Sequence, residues 1–121
     1  MPGRQDRPRL ESYGDGGFRI SGVRHVGSVI VLPETTIPWD VSDPADLGIG
    51  SLAPVLDCEP RVEILLFGSG RDLRPIDEGI RAALSDAGIA VEPMDTGAAC
   101  RTYSVLAAED RRVAAALIAV D

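Results

Sequence analysis

A chain of 121 residues with 45% apolar and 26% charged residues has the size and composition of one globular domain, whose folding would bury about 65–70% of the extended surface. Its net charge of −7 rests on acids scattered along the whole length, which excludes a phosphate-backbone partner because counterion release needs clustered cations. All twelve cations are arginine; without lysine there is no phosphate-loop lysine, Schiff base or pyridoxal anchor, and nucleic acid is not an expected partner.

The single histidine, His25, and the two cysteines, Cys58 and Cys100, are too few for a closed zinc site, and the cysteines lack CxxC spacing, so neither a metal nor a cofactor is expected. No run approaches the ~20 apolar residues of a membrane span, and no apolar signal stretch follows Met1. A cytoplasmic location is therefore expected, and a structural disulfide is not.

Residues 1–16, MPGRQDRPRLESYGDG, are polar and rich in Arg, Gly and Pro, and offer no apolar face to offset their ordering entropy, so they read as a flexible N-terminal arm before a single domain over 17–121. Residues 17–33 carry short β-favouring runs broken at Ser21-Gly22 and Gly27-Ser28, which predicts an antiparallel meander ended by Pro33. Residues 34–60 hold Pro38, Pro44, Pro54 and Pro60 and predict loop with short helical turns near 44–57.

Beyond residue 61 the pattern sharpens. Val62 to Phe67 is an almost continuous apolar run closed by Gly68-Ser69-Gly70, the mark of a buried central strand entering a tight loop. Ile76, Ile80, Ala83, Leu84 and Ala87 then fall on one helical face, with Pro75 suited to the first helical position, Gly88 to the C-terminal cap, and Asp77 and Arg81 spaced as an i, i+4 pair. A strand over 89–92 completes a β-α-β unit with parallel strands. An Ala-rich helix over 97–109 follows, capped by Asp95 or Thr96, and the β-branched tail 112–120 reads as a final strand or as more of that helix.

Four places are candidates for chemistry. Asp95-Thr96-Gly97-Ala98 matches the letters around an aspartic-protease carboxylate, but helix-forming residues follow where that site needs strand, and the required apolar-apolar-Gly support lies earlier in the chain instead of later. Phe67-Gly68-Ser69-Gly70-Arg71 falls short of a dinucleotide fingerprint because position 73 is Leu, yet Gly68, Ser69, Gly70 and Arg71 suit an anion approached by backbone amides, alongside Thr96, Gly97 and Arg101. Cys100, in the first turn of a helix beside Arg101, has the setting of a lowered thiol pKa, and Asp95 and Cys100 are the candidate catalytic side chains; the competing reading is a packed core cysteine and a helix cap. Trp39 is a candidate anchor for a partner surface, against a role as a core lid. His25 has no GxSxG nucleophile elbow to serve.

Five features in order, GFRISGVRHVGSVIVLP, Pro38-Trp39, EILLFGSG, a helix ending AGI, and MDTGAACRTYSVLAAEDRRVAAAL, together resemble the family that includes the mitochondrial complex I assembly factor 3 and the adipogenesis-associated domain-containing protein, across roughly residues 16–120. The family pattern Arg-Thr-Tyr-Asn reads Arg101-Thr102-Tyr103-Ser104 here, so no role of that Asn carries over. The resemblance implies a three-layer α/β domain with a mixed central sheet, a β-meander followed by β-α-β-α-β, which assigns residues 112–120 to a strand. It also implies a non-enzymatic assembly or interaction factor whose protein partners are respiratory complex subunits. The alternative is a small-molecule or anion-binding module, or a thiol-dependent enzyme, using a cleft between the Gly68–Gly70 loop and the Asp95–Arg101 helix N-terminus. An apolar sheet edge adds the expectation of a homodimer.

Overall fold

A computed structural model describes residues 7–121. Two sheets and three helices make three layers. A five-stranded mixed sheet occupies the middle in the order β5-β4-β8-β6-β7, built from β4 (Val29–Val31), β5 (Thr36–Pro38), β6 (Ile64–Gly68), β7 (Ala90–Met94) and β8 (Val113–Leu117). One face packs against α2 (Glu78–Asp86), α1 (Ala53–Leu56) and the segment around Trp39; the other packs against α3 (Thr96–Ala108) and a three-stranded antiparallel sheet of β1 (Leu10–Gly14), β2 (Gly17–Ile20) and β3 (Val23–Val26).

Alternation along the strands divides the core. Leu65, Phe67, Ala114 and Ala116 point to the α2 side, and Leu66, Val113, Ala115 and Leu117 to the α3 side. Every residue of β8 is buried, as a strand covered on both faces must be, which is why its sequence is apolar throughout instead of alternating. Strand β6 lies parallel to both β7 and β8, so the expected β-α-β-α-β half is present, with residues 113–117 as its last strand.

The meander expected over 17–33 divides between two sheets. The two-residue turn Ser21-Gly22, with φ of 49° and 82°, has the left-handed geometry that matches strand twist and closes the β2–β3 hairpin. After Gly27, at φ 89°, the chain leaves for the large sheet as β4. Helix α2 begins later than expected: Asp77 is its cap, accepting from the amides of Gly79 at 2.9 Å and Ile80 at 3.3 Å, so Pro75 lies outside the helix. With Asp77 engaged in capping, Arg81 instead lies 3.9 Å from Glu78 and donates to the Val91 carbonyl at 3.3 Å. Gly88 follows the helix with φ 82°, as its C-terminal position expected.

Residues 10–14 of the expected flexible arm are instead strand β1, while 1–6 lie outside the described residues. Polar tethers hold this stretch where local composition offered none. The Tyr103 hydroxyl donates to the Pro8 carbonyl at 3.0 Å, and Arg7 reaches the Arg111 carbonyl at 2.6 Å and the Asp110 carboxylate at 3.0 Å.

Candidate functional site

Strand β6 has β7 on one side and β8 on the other, and the helices that follow β6 and β7 cover opposite faces of the sheet. Its carboxyl end is therefore a topological switch point, where neighbouring loops part and leave a crevice. The Gly68–Gly70 loop and the start of α3 meet there, as the sequence pattern anticipated.

Thr96 joins them. Fully buried, its hydroxyl donates to the Ile118 carbonyl at 2.7 Å and accepts from the Gly70 amide at 3.0 Å, while its own amide donates to the Gly70 carbonyl at 2.8 Å. The Ser69 amide donates to Met94 at 2.8 Å, and its hydroxyl accepts from the Arg74 amide at 3.0 Å and lies 2.7 Å from the Asp72 carbonyl and 3.0 Å from that of Met94. The loop's amides thus largely satisfy, and are satisfied by, the ends of β7, β8 and α3. Glycine at 68 is a packing requirement, since a Cβ there would stand 2.9 Å from Leu117 and 3.1 Å from the Thr96 backbone.

Asp95 is the helix cap, its carboxylate accepting from the Ala98 amide at 2.9 Å, with extended backbone at φ −66° and ψ 160°. Its geometry is that of a strand-to-helix turn and not of the tight loop between strands that a protease carboxylate occupies. Gly97 in the first turn lies under the Tyr13 ring, and a Cβ there would stand 2.6 Å from the Tyr13 hydroxyl oxygen.

Cys100 is 4% exposed, and burial pushes its thiol up to about 12; Arg101 lowers it and Asp95 raises it, both by less than the loss of water. The lowered pKa expected from its helix position is overturned because desolvation outweighs the guanidinium. Cys58 is also raised, by burial first and then by Glu34 and Glu59. Trp39 is 8% exposed, donates its indole N–H to the Ser51 carbonyl at 2.8 Å, and meets Phe67 edge-on at 6.3 Å between ring centres. It is a core lid and not an exposed anchor, because a second, helical segment folds over it.

The exposed members of the expected anion set are Arg71 and Arg101. Arg71 lines two openings beside the clasp. One, of about 390 Å³, includes Arg74, Asp43, Asp72 and residues 118–121; the other, of about 180 Å³, includes Tyr13, Asp95 and Gly97. Arg101 lines a third, with Tyr13 and Cys100. The contribution of Tyr13 and of 118–121 went unread in the sequence, although β-α-β-α-β order already puts the end of the last strand beside Gly68. Among the described residues no cluster of His, Cys, Asp and Glu is arranged to hold a metal ion, and no helix is long and apolar enough to cross a membrane.

These features define a three-layer α/β domain with a clasped loop-helix junction at its switch point. The chain belongs to the family described as a protein of unknown function (DUF498/DUF598), which it matches over residues 10–118. It is 38% identical over 109 residues to the NADH dehydrogenase [ubiquinone] 1 alpha subcomplex assembly factor 3 of Xenopus tropicalis and 36% identical to that of Homo sapiens, covering 90% of this chain and 60% and 59% of theirs. It therefore spans about three fifths of those relatives. An uncharacterized protein of Rhodobacter capsulatus is 37% identical, with 90% of this chain and 82% of that one covered. Among solved structures, one described as an outer membrane protein from Bartonella henselae superposes with TM-score 0.89 at 39% identity over 95% of this chain and 97% of that one. A Mth938-like domain from Bordetella pertussis superposes with TM-score 0.80 at 30% identity over 98% and 88%.

Proposed function

We propose that this protein is a non-enzymatic assembly or interaction factor for respiratory complex I, acting from the cytoplasm on subunits of that enzyme. The observation that carries the reading is its likeness to the assembly factor 3 proteins, 38% identical to that of Xenopus tropicalis over 90% of this chain. The state of the candidate catalytic groups supports it. Cys100 is a buried thiol pushed up to about 12, and Asp95 and Thr96 are engaged in the helix cap and the clasp.

The test is a deletion strain of the organism that carries the gene. Solubilised membranes should lose NADH:ubiquinone oxidoreductase content and activity, and capture of the tagged native protein should bring respiratory subunits with it. Normal complex content in the deletion strain would remove the reading.

A second reading is favoured by the opening of about 390 Å³ at the switch point, which Arg71 and Arg74 line together with Asp43, Asp72 and Asp121. There the domain would bind a small anionic metabolite through the two arginines. Substituting both with Gln should abolish that binding in calorimetry, and an unchanged heat would dismiss it.

A further inference from the structure

The two sheets present four edge strands, and three of them are blunted. Strand β5 has three residues and ends in Pro38. Strand β7 contains Pro93 and has its Val91 carbonyl taken by Arg81. Strand β1 is bulged between Leu10 and Ser12 and packs along α3. Each device hinders pairing with another chain.

Strand β3, Val23-Arg24-His25-Val26, carries none of these devices. It pairs on one side with β2 in the register Ile20↔Val23, Arg19↔Arg24, Phe18↔His25 and Gly17↔Val26. In a hairpin with a two-residue loop the flanking pair Ile20–Val23 is hydrogen-bonded, and pairs alternate from there. The Gly27 amide donating to Gly16 at 2.8 Å fits that phase. The amides and carbonyls of Arg24 and Val26 therefore point away from β2, out of the sheet, and Val26 and Val23 are 82% and 56% exposed.

Charge indicates what covers this edge. Arg19 and Arg24 stand opposite each other in a non-hydrogen-bonded pair, where side chains approach most closely and like charges repel. Arg9 adds a third guanidinium. Glu11 is the one carboxylate these arginines meet among the described residues, 3.7 Å from Arg19 and 3.5 Å from Arg9, whereas Arg24 bonds to the Gly14 and Asp15 carbonyls. This is a cationic strip on a chain of net charge −7. A second copy would bring its own Arg24 diagonally across from the first; an acidic strand would neutralise the strip.

We propose that the free edge of β3 is a strand-addition site for an extended acidic segment of a partner protein, with Arg24 and Val26 supplying main-chain bonds and Arg19 and Arg24 selecting charge. This rests on the interaction-factor reading and adds the surface and the partner's chemistry.

The probe is a capped hexapeptide of alternating Glu and Val, titrated into the full-length protein and followed by amide NMR, with an Arg-Val hexapeptide as comparator. The acidic peptide should shift the Arg24 and Val26 amides, slow their exchange and weaken with salt. Val26→Pro removes an outward amide that the monomer does not use, so its melting should be unchanged while peptide affinity falls about tenfold. Arg24→Glu should reverse the preference toward the basic peptide. No shift at about 1 mM peptide, equal binding of both peptides, or binding indifferent to Val26→Pro would each overturn the proposal. So would a peptide-free dimer in sedimentation that Val26→Pro dissolves, since the edge would then belong to a second copy. Peptide binding of the expected kind together with normal complex I in the deletion strain would keep this site and remove the respiratory partner.

Discussion

Replacing Thr96 by Val removes one oxygen and strands two backbone groups. The hydroxyl at 0% exposure both donates to Ile118 at 2.7 Å and accepts from Gly70 at 3.0 Å. Valine fills the same space and does neither. A buried amide or carbonyl left without a partner costs about 1–3 kcal/mol, and the more apolar methyl offsets part of two such losses, leaving about 2–4 kcal/mol. That is a large fraction of the roughly 5–15 kcal/mol of a typical domain. In urea, with a slope near 1.5 kcal/mol/M, the midpoint should fall by about 2 M at unchanged slope. Thr96→Ser keeps the hydroxyl, loses one methyl, and should fall by only about 1 kcal/mol. Amide exchange adds a local readout, because Gly70 should lose protection in the Val variant and keep it in the Ser variant. A Val variant within a few tenths of a molar of the parent, or a Ser variant equally damaged, would refute the clasp.

Gly68→Ala forces a methyl against Leu117 and the Thr96 backbone and should cost about 1–3 kcal/mol, whereas Gly97→Ala meets the outer ends of the 41%-exposed Tyr13 and of Arg101 and should lie within about 1 kcal/mol of the parent in the same unfolding assay. Cys100 should alkylate at least about tenfold more slowly than a model thiol near pH 8, since raising its pKa from 9.0 to about 12 removes thiolate; a rate equal to the peptide's would return it to reactive chemistry. The same shift sets an alkaline limit. The thiol is neutral in both states below pH 9, and between 9 and about 12 only the unfolded chain ionises, so stability should fall with rising pH by up to about 1.4 kcal/mol per unit, joined above 10 by Tyr103, which burial likewise raises to about 12. A denaturation midpoint flat from pH 8 to 11 would contradict both assignments.

Much of this molecule is written locally. The run from Ile64 to Phe67, the helical face of Ile80 and Leu84, and the turn at Ser21-Gly22 depend on neighbours within a few residues, so periodicity and turn chemistry suffice to place them. The family resemblance supplied the mixed sheet and the final strand, which propensity left open between helix and strand. It did not supply the fate of individual side chains.

Those were decided by contacts across long stretches of chain. Thr96 meets residues 22 and 26 positions away, and Tyr103 meets one 95 positions away. No local pattern marks such pairs, because their energy appears only when the loops between them have closed. Hence a polar N-terminal stretch became a strand, and Trp39, open in the sequence between a partner anchor and a core lid, became a lid over Phe67. Cys100, open between a reactive thiol and a packed core residue, took the packed place and lost its water. Sequence alone determined the central strand, the two long helices and the hairpin turn; tertiary structure decided where α2 begins, that residues 10–14 form a strand, and which side chains reach solvent, because these depend on what arrives from elsewhere in the chain.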